Sequence, residues 1–173
     1  DRWNKAPNEL NDPNKDYWGP KQMNWLLDAL ISSRASFKII VNGGQVISPA
    51  KVFENMANYE GERNYLLKEI KNRNIPGVLF LSGDRHISNL NKLERPGTYP
   101  LYDLTVSPMT AGKADAVKQD YNETLVPGTM VQERAFSKIE VSGPLKDRTL
   151  TMTLFNVKGE VIWTKALKST ELK

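Results

Sequence analysis

The chain has 173 residues, of which 39% are hydrophobic and 25% charged, a composition typical of a folded protein and not of a disordered or fibrous one, so we expect residues 1–173 to form a single domain. No stretch approaches the roughly 18 consecutive apolar residues of a membrane span, and the absence of cysteine excludes disulfides, thiolate nucleophiles and cysteine-based zinc sites in this chain. The net charge of +4 comes from basic residues spread among acidic ones, which favours a solvated surface over a dedicated polyanion site.

The first half of the chain predicts a β-α-β unit. Apolar and polar periodicity, with Gly, Pro and Asn as breakers, predicts in chain order a loop at 1–18, a helix at 20–33, a strand at 37–41, a short helix near 52–57, a helix at 59–73 and a strand at 78–81. The last strand is apolar on both faces, as expected for a strand covered from both sides. A crossover of this kind joins parallel strands and places the loops that follow them at the same sheet edge.

The second half predicts a further strand and a second sheet. Residues 99–106 form an apolar run that ends at Ser107-Pro108, and apolar residues alternate with threonine at 149–154. With 134–143 and 161–166, this segment predicts an antiparallel meander. The expected fold class is therefore α/β, or α+β, with mixed sheets that pack as a sandwich.

Residues capable of chemistry follow the second predicted strand. The segment Ser-Gly-Asp-Arg-His at 82–86 contains His86, the only histidine of the chain. If the backbone stays extended, Asp84 and His86 point to one side and Arg85 to the other. A carboxylate and a neutral imidazole suit ions such as iron, zinc and manganese, so the pair is a candidate metal site.

Simpler roles are open for each of these residues. A lone histidine is more often a hydrogen-bonded or surface residue than a ligand, and Asp84 also fits a turn or a helix cap. An ion pair suits Arg85 better than a phosphate clamp. Asn42 and Gln45 follow the first strand at the same edge and are weaker candidates for amide-oxygen contacts, since Asn42-Gly43-Gly44 also fits an ordinary turn.

Four separated blocks of the chain resemble one protein family. The blocks are DRWNKAPN, GPKQMNWLLDALISSRASFKIIVNGGQV, FLSGDRH and YPLYDLTVSPMTAG. They occur in the family's order, extend over nearly the whole chain and resemble the C-terminal half of the alkaline phosphatase D (PhoD-like) family of metallophosphatases.

The resemblance implies a four-layer α/β/β/α metallophosphoesterase sandwich. In that family two metal ions activate a water that attacks a phosphate mono- or diester. Asp84 and His86 match the family's GD-x-H motif, which implies that they bind metal and act in catalysis, with iron, calcium, zinc or manganese as the expected ions. The GG-Q segment matches the strand end that faces the substrate in the family, which makes Asn42 and Gln45 candidates for contacting a metal or the phosphate. Arg85 is a further candidate for binding substrate, on the basis of its residue type alone.

Other parts of the family's site do not occur in the chain. The aspartate cluster, the GD-x-x-Y-x-D type loop and the aspartate-histidine pair are absent from the 173 residues, and Ile87-Ser88-Asn89 stands where relatives often carry a polar or acidic pair. We therefore expect the chain to be the C-terminal part of a catalytic domain whose N-terminal half precedes Asp1. Alone, it should bind metals poorly, be inactive and expose a sheet edge that pairs with the missing half or self-associates.

The resemblance also implies a phosphate-ester substrate, with nucleic acid only as a phosphodiester substrate, and export to the periplasm or cell surface. Two alternative functions stay open. The net charge and the tryptophans are compatible with a polyanion-binding module, and a structural domain with a decayed site is the third class. Trp25 and Trp163 lie in amphipathic elements and are expected to be core or half-buried. The other two tryptophans are Trp3 and Trp18.

Overall fold

The first sheet contains the predicted parallel unit. A computed structural model describes residues 4–173, and its four-stranded sheet has the order β1-β2-β4-β3. The strands are β1 (Lys38–Val41), β2 (Val78–Ser82), β3 (Asn89–Leu93) and β4 (Leu101–Thr105). Both β1 and β4 pair in parallel with β2, whereas β3 is antiparallel to β4. The predicted β-α-β unit is confirmed, and β2 is covered on both faces.

Two helices flank the parallel strands. Helix α1 (Pro20–Ser32) has Pro20 in its first turn, where a proline loses no hydrogen bond, and it buries Met23, Leu27 and Leu30. Helix α2 (Glu60–Asn72) forms the crossover from β1 to β2. The short helix predicted near 52–57 is reduced to a 3-10 turn at Met56–Asn58. None of the helices within 4–173 is long and apolar enough to cross a bilayer.

The second sheet is the predicted antiparallel meander. Its strands are β5 (Ala135–Ser142), β6 (Thr149–Asn156) and β7 (Val161–Lys168), in that order. Leu150 and Met152 of β6 are buried in the same core as Leu27 of α1, Leu66 of α2 and Phe80 of β2. The two sheets and both helices thus share one hydrophobic core, while the full four-layer arrangement stays a prediction.

Strand β3 was not predicted. Its sequence, NLNKL, lacks the β-branched and aromatic residues typical of strands. The side chains of Asn89 and Asn91 are nevertheless buried, because Asn91 Nδ2 donates to Asn89 Oδ1 at 3.0 Å and Thr124 Oγ1 donates to Asn91 Oδ1 at 3.0 Å. Bridges from the segment around β3 to Leu125 and Val131 cover its outer edge. Tertiary hydrogen bonds, and not local propensity, stabilise this strand.

Strand β1 is a sheet edge that no other strand within residues 4–173 covers. Val41 is 71% exposed and Ile39 is also exposed, whereas the one charged residue of the strand, Lys38, donates through Nζ to the carbonyls of Ala35 and Pro76. A groove of about 340 Å³ separates the strand from α1 and is lined in part by Trp25. Trp25 is 66% exposed, so the expectation that it is core or half-buried was wrong.

We expect the isolated chain to self-associate through β1, because an edge strand with exposed apolar side chains and no exposed charge is a template for strand pairing. The variant Val41→Lys should shift sedimentation velocity profiles toward the monomer. Val157→Lys adds the same charge at an exposed valine in the β6–β7 turn and should leave the profiles unchanged. A parent chain that is monomeric up to crystallisation concentrations contradicts the prediction.

Candidate functional site

A cavity of about 400 Å³ opens at the edge of the first sheet where the parallel strands end. Its lining comes from the loops that follow β1, β2 and β4, and consists of Phe53, Glu54, Asp84, Arg85, His86, Ala114 and Asp115. The loops after β1 and β2 are tied together, since the Gly83 N–H donates to the Gly43 carbonyl at 3.1 Å. This is the edge at which open α/β sheets bind ligands.

Asp84 and His86 line this cavity together, but an extended backbone does not place them there. Both residues have left-handed backbone conformations, with φ of 61° and 56°. The condition of an extended backbone, under which the sequence placed both side chains on one side, is therefore not met. The His86 N–H donates to Ser107 Oγ at 3.1 Å, and its carbonyl accepts from the Ala114 N–H at 3.1 Å. Asp and His are among the non-glycine residues that tolerate this conformation, so the loop holds both side chains at the cavity.

Arg85, which lies between Asp84 and His86 in the sequence, is buried. Its Nη2 donates to both carboxylate oxygens of Asp120, at 2.6 and 2.8 Å, and its guanidinium lies 4.6 Å from the centre of the Phe53 ring. Its Nε is buried and has no hydrogen-bond partner among the described residues. The ion pair left open by the sequence is therefore formed, and Asp120 offsets the positive charge of Arg85 inside the protein.

Gln45 lies in the interior and does not line the cavity. Its Nε2 donates to Thr105 Oγ1 at 2.9 Å and to Asn89 Oδ1 at 3.2 Å, and its Oε1 accepts from Asn55 Nδ2 at 2.9 Å. Both ends of this amide are thus engaged in a network between the loop after β1 and the sheet. The network fixes the loop that carries Phe53 and Glu54.

Asn42 is buried beside the same loop. Its Nδ2 donates to the Gly44 carbonyl at 2.7 Å and to the Tyr17 hydroxyl at 3.0 Å. Like Gln45, it is not brought to the cavity. A substrate contact by either amide stays a prediction.

The fully buried carboxylate of Asp103 holds the loop after β1 by hydrogen bonds to its backbone. Asp103 in β4 accepts through Oδ2 from the Val46 N–H at 2.7 Å and from the Ile47 N–H at 3.3 Å, and through Oδ1 from the Ser82 hydroxyl at 2.7 Å. Arg63 donates to the carbonyls of Val46 and Ile47. Burial raises the pKa of Asp103, although these hydrogen bonds oppose the shift. Asp103 was not among the predicted site residues.

The metal-binding capacity of the cavity is partial. Asp84 and His86 offer a carboxylate and an imidazole, and Glu54 is in an ion pair with Lys5 at 3.5 Å. Within residues 4–173, no group of three or more His, Cys, Asp or Glu side chains is arranged to hold a metal ion. The donor types fit a contribution to a metal site, but their number does not complete one.

The family is decided by comparison with known proteins. A family model described as PhoD-like phosphatase matches residues 2–145. The chain belongs to the PhoD-like phosphatase family. The resemblance of the four sequence blocks is thereby confirmed.

Individual PhoD relatives agree with this assignment. Alkaline phosphatase D of Bacillus subtilis (strain 168) is 31% identical over 94 residues, which cover 49% of this chain and 16% of that protein. A solved structure described as "Structure of PhoD" matches 98% of this chain with a TM-score of 0.65 at 17% identity, so the two share a fold. This chain spans 37% of the length of that one.

The tryptophans within residues 4–173 do not form a stacking platform around the cavity. Trp18 is buried in the core, and Trp163 is half-buried with its Nε1 donating to the Thr129 carbonyl at 3.2 Å. Trp25 lies in the groove beside β1, and Trp3 is outside the described residues. Trp18, Trp25 and Trp163, the three tryptophans that the structure describes, therefore give the polyanion-binding alternative no specific support.

Proposed function

We propose that this chain contributes Asp84 and His86 to the metal-dependent phosphoesterase site of a PhoD-like phosphatase that hydrolyses phosphate mono- or diesters. One observation carries the proposal: in a chain of this family, the Asp84 carboxylate and the only imidazole line one cavity where three neighbouring strands end. Membership of the family supports a hydrolase function, and the cavity is the place that we propose for the reaction.

Asp84 and His86 would act in this site as metal ligands. Asp84 is exposed at the cavity and His86 is half-buried, so both side chains are accessible to an ion. His86 would bind as the neutral imidazole, since a protonated ring has no free electron pair for a metal. Two metal ions in a completed site would supply Lewis acidity toward the ester and make water nucleophilic at neutral pH. The choice among iron, calcium, zinc and manganese stays a prediction.

The remaining ligands would come from polypeptide outside this chain. Two firm ligands cannot hold two ions and leave a position for water. The chain spans only 16% and 37% of the length of the two relatives. The remaining ligands could therefore lie in the part of such a protein that this chain does not include. The edge of β1 is a place where such polypeptide can add a strand. Export to the periplasm or cell surface stays a prediction of the family resemblance.

Arg85 would position the cavity wall and not clamp the phosphate. Its Nη2 is engaged by both oxygens of Asp120, and its Nε is buried. A phosphate would have to compete with a desolvated carboxylate for this cation, which is unfavourable because breaking a buried pair leaves an uncompensated charge. Arg85 instead connects the loop after β2 with the 3-10 helix Lys118–Asp120.

Hydrolysis of chromogenic esters tests the proposal. We expect the full gene product to hydrolyse p-nitrophenyl phosphate, bis(p-nitrophenyl) phosphate or both, and we expect the isolated 173-residue chain to show no activity above the uncatalysed rate. The ratio of the two rates separates mono- from diesterase action. A full gene product inactive on both esters contradicts the phosphoesterase assignment. An isolated chain as active as the full product contradicts the shared site.

A further inference from the structure

Phe53, an exposed phenylalanine, forms part of the wall of the cavity. Phe53 is 65% exposed although it lines the same cavity as Asp84 and His86. Its φ is 49°, in the left-handed region that bulky residues without special support rarely adopt. A large apolar side chain that is both exposed and held in an uncommon backbone conformation points to a role other than packing.

Three contacts hold Phe53 in this position. Its carbonyl accepts from Asn58 Nδ2 at 2.9 Å and from Asn8 Nδ2 at 3.1 Å. Its ring lies against the Arg85 guanidinium, 4.6 Å from the ring centre, and Asp120 fixes that guanidinium. The cation occupies one face of the ring, as in other cation–π pairs. The exposed remainder of the ring faces the cavity and solvent.

The Phe53 ring lies on the part of the cavity wall that the organic group of a bound phosphate ester would reach. If the phosphorus is bound near Asp84 and His86, the organic group of the ester extends along the remaining cavity wall, which includes Phe53. An aromatic ring gains most from another planar apolar group, through stacking and loss of hydration, and gains little from a small polar group. A fixed ring also loses little conformational entropy when a ligand packs on it.

We propose that Phe53 is a specificity-determining residue that selects phosphate esters with an aromatic organic group. This inference rests on the proposed phosphoesterase function, which it extends from the reaction to the class of substrate. Arg85 and Asp120 are positioning residues in this subsite, because they act on substrate through the ring of Phe53. The chemistry recognised is a planar apolar group, such as a substituted phenyl ring, joined to phosphate.

The test compares two esters in the full gene product. We measure kcat/KM for phenyl phosphate and for methyl phosphate in the wild type, Phe53→Leu, Phe53→Tyr and Phe136→Leu. Leucine keeps an apolar side chain but removes the flat ring. We expect Phe53→Leu to lower the phenyl-to-methyl ratio about tenfold, because the leucine side chain cannot stack on the phenyl ring of the ester. Comparing each variant with the wild type cancels the different intrinsic reactivity of the two esters.

Two variants serve as controls. Phe53→Tyr keeps the ring and should keep the ratio within about twofold of the wild type. Phe136→Leu makes the same chemical change in β5, where the Phe136 ring stacks on Phe155 outside the cavity lining, and should leave the ratio unchanged. Melting temperatures verify that each variant folds.

A binding measurement separates this inference from the proposed function. We expect calorimetry to show tighter binding of phenylphosphonate than of methylphosphonate, and Phe53→Leu to remove that difference. If the esters are hydrolysed but Phe53→Leu leaves both the kinetic and the binding ratios unchanged, the aromatic subsite is overturned while the phosphoesterase proposal stands. If no ester is hydrolysed, the phosphoesterase proposal fails, and equal affinities for the two phosphonates overturn the subsite as well.

Discussion

Replacing His86 by asparagine in the full gene product should lower kcat/KM for phosphate-ester hydrolysis about 100-fold or more. Mutating a group that only orients a metal ligand costs roughly 10- to 100-fold, and loss of a ligand should cost at least as much. Asparagine also tolerates the left-handed backbone at this position, so the loop keeps its shape while the imidazole is lost. Asp84→Asn should act in the same way, because it removes the charge with little change in volume.

Two observations check this expectation. Asp28→Asn removes an exposed carboxylate from α1, outside the cavity lining, and should leave hydrolysis unchanged. In a sample whose other histidines are assigned, the His86 imidazole protons should shift when Zn²⁺ is added to the full gene product, and the shift should disappear in Asp84→Asn if both residues bind one ion. If His86→Asn hydrolyses the esters as fast as the wild type, His86 has no role in catalysis.

Replacing Asp103 by leucine should destabilise the isolated chain by about 3 kcal/mol or more. The substitution leaves the buried Val46 and Ile47 N–H groups without their acceptor, and each unsatisfied buried donor costs ~1–3 kcal/mol. Ser82 loses one partner but stays 3.0 Å from Thr105 Oγ1. Urea denaturation measures the loss. Asp103→Asn should cost much less, since an amide oxygen can accept from the loop while its NH₂ donates to Ser82, and equal losses in the two variants would contradict this account.

Comparison of the wild type with Asp103→Asn should also show how the contribution of Asp103 to stability changes with pH. Burial raises the pKa of Asp103 in the folded state, so the folded protein holds this proton where an unfolded aspartate, with a pKa of about 3.9, has released it. The contribution of Asp103 to stability is therefore greatest below the unfolded pKa and falls as the pH rises through the folded pKa. The free energy of unfolding of the wild type minus that of Asp103→Asn should decrease across this window. An increase would show that the hydrogen bonds outweigh burial.

Periodicity predicted the elements that bury an apolar face. Helix α1 and the meander repeat apolar residues at the spacing of their own secondary structure, and the parallel strands β1 and β2 are short apolar runs bounded by Gly, Pro and Asn, so these elements and their order follow from local sequence. Strand β3 escaped prediction because Asn89 and Asn91 are buried through hydrogen bonds with side chains distant in sequence. No local pattern encodes such partners.

The candidate site was predicted in part, and for identifiable reasons. Asp84 and His86 stood out by residue type and by their place after a buried strand, whereas their backbone conformation depends on contacts with Ser107 and Ala114 in another loop. Phe53 lies in a turn, although the sequence predicted a short helix near 52–57, and no sequence signal marked it as a cavity residue. Asp103 did leave a signal, because it is the only charged residue in the apolar run 99–106.

The positive φ angles of Asp84 and His86 have a consequence for mutational scanning. In a library that covers all amino acids at these two positions, the variants should differ in two separate properties, the amount of folded protein and the catalytic activity. Glycine and asparagine accept the conformation and should yield soluble, expressed protein without function, whereas valine, isoleucine and threonine should be lost at the level of expression. Comparing abundance with turnover across such a library would distinguish what the loop requires for its shape from what the reaction requires for its chemistry.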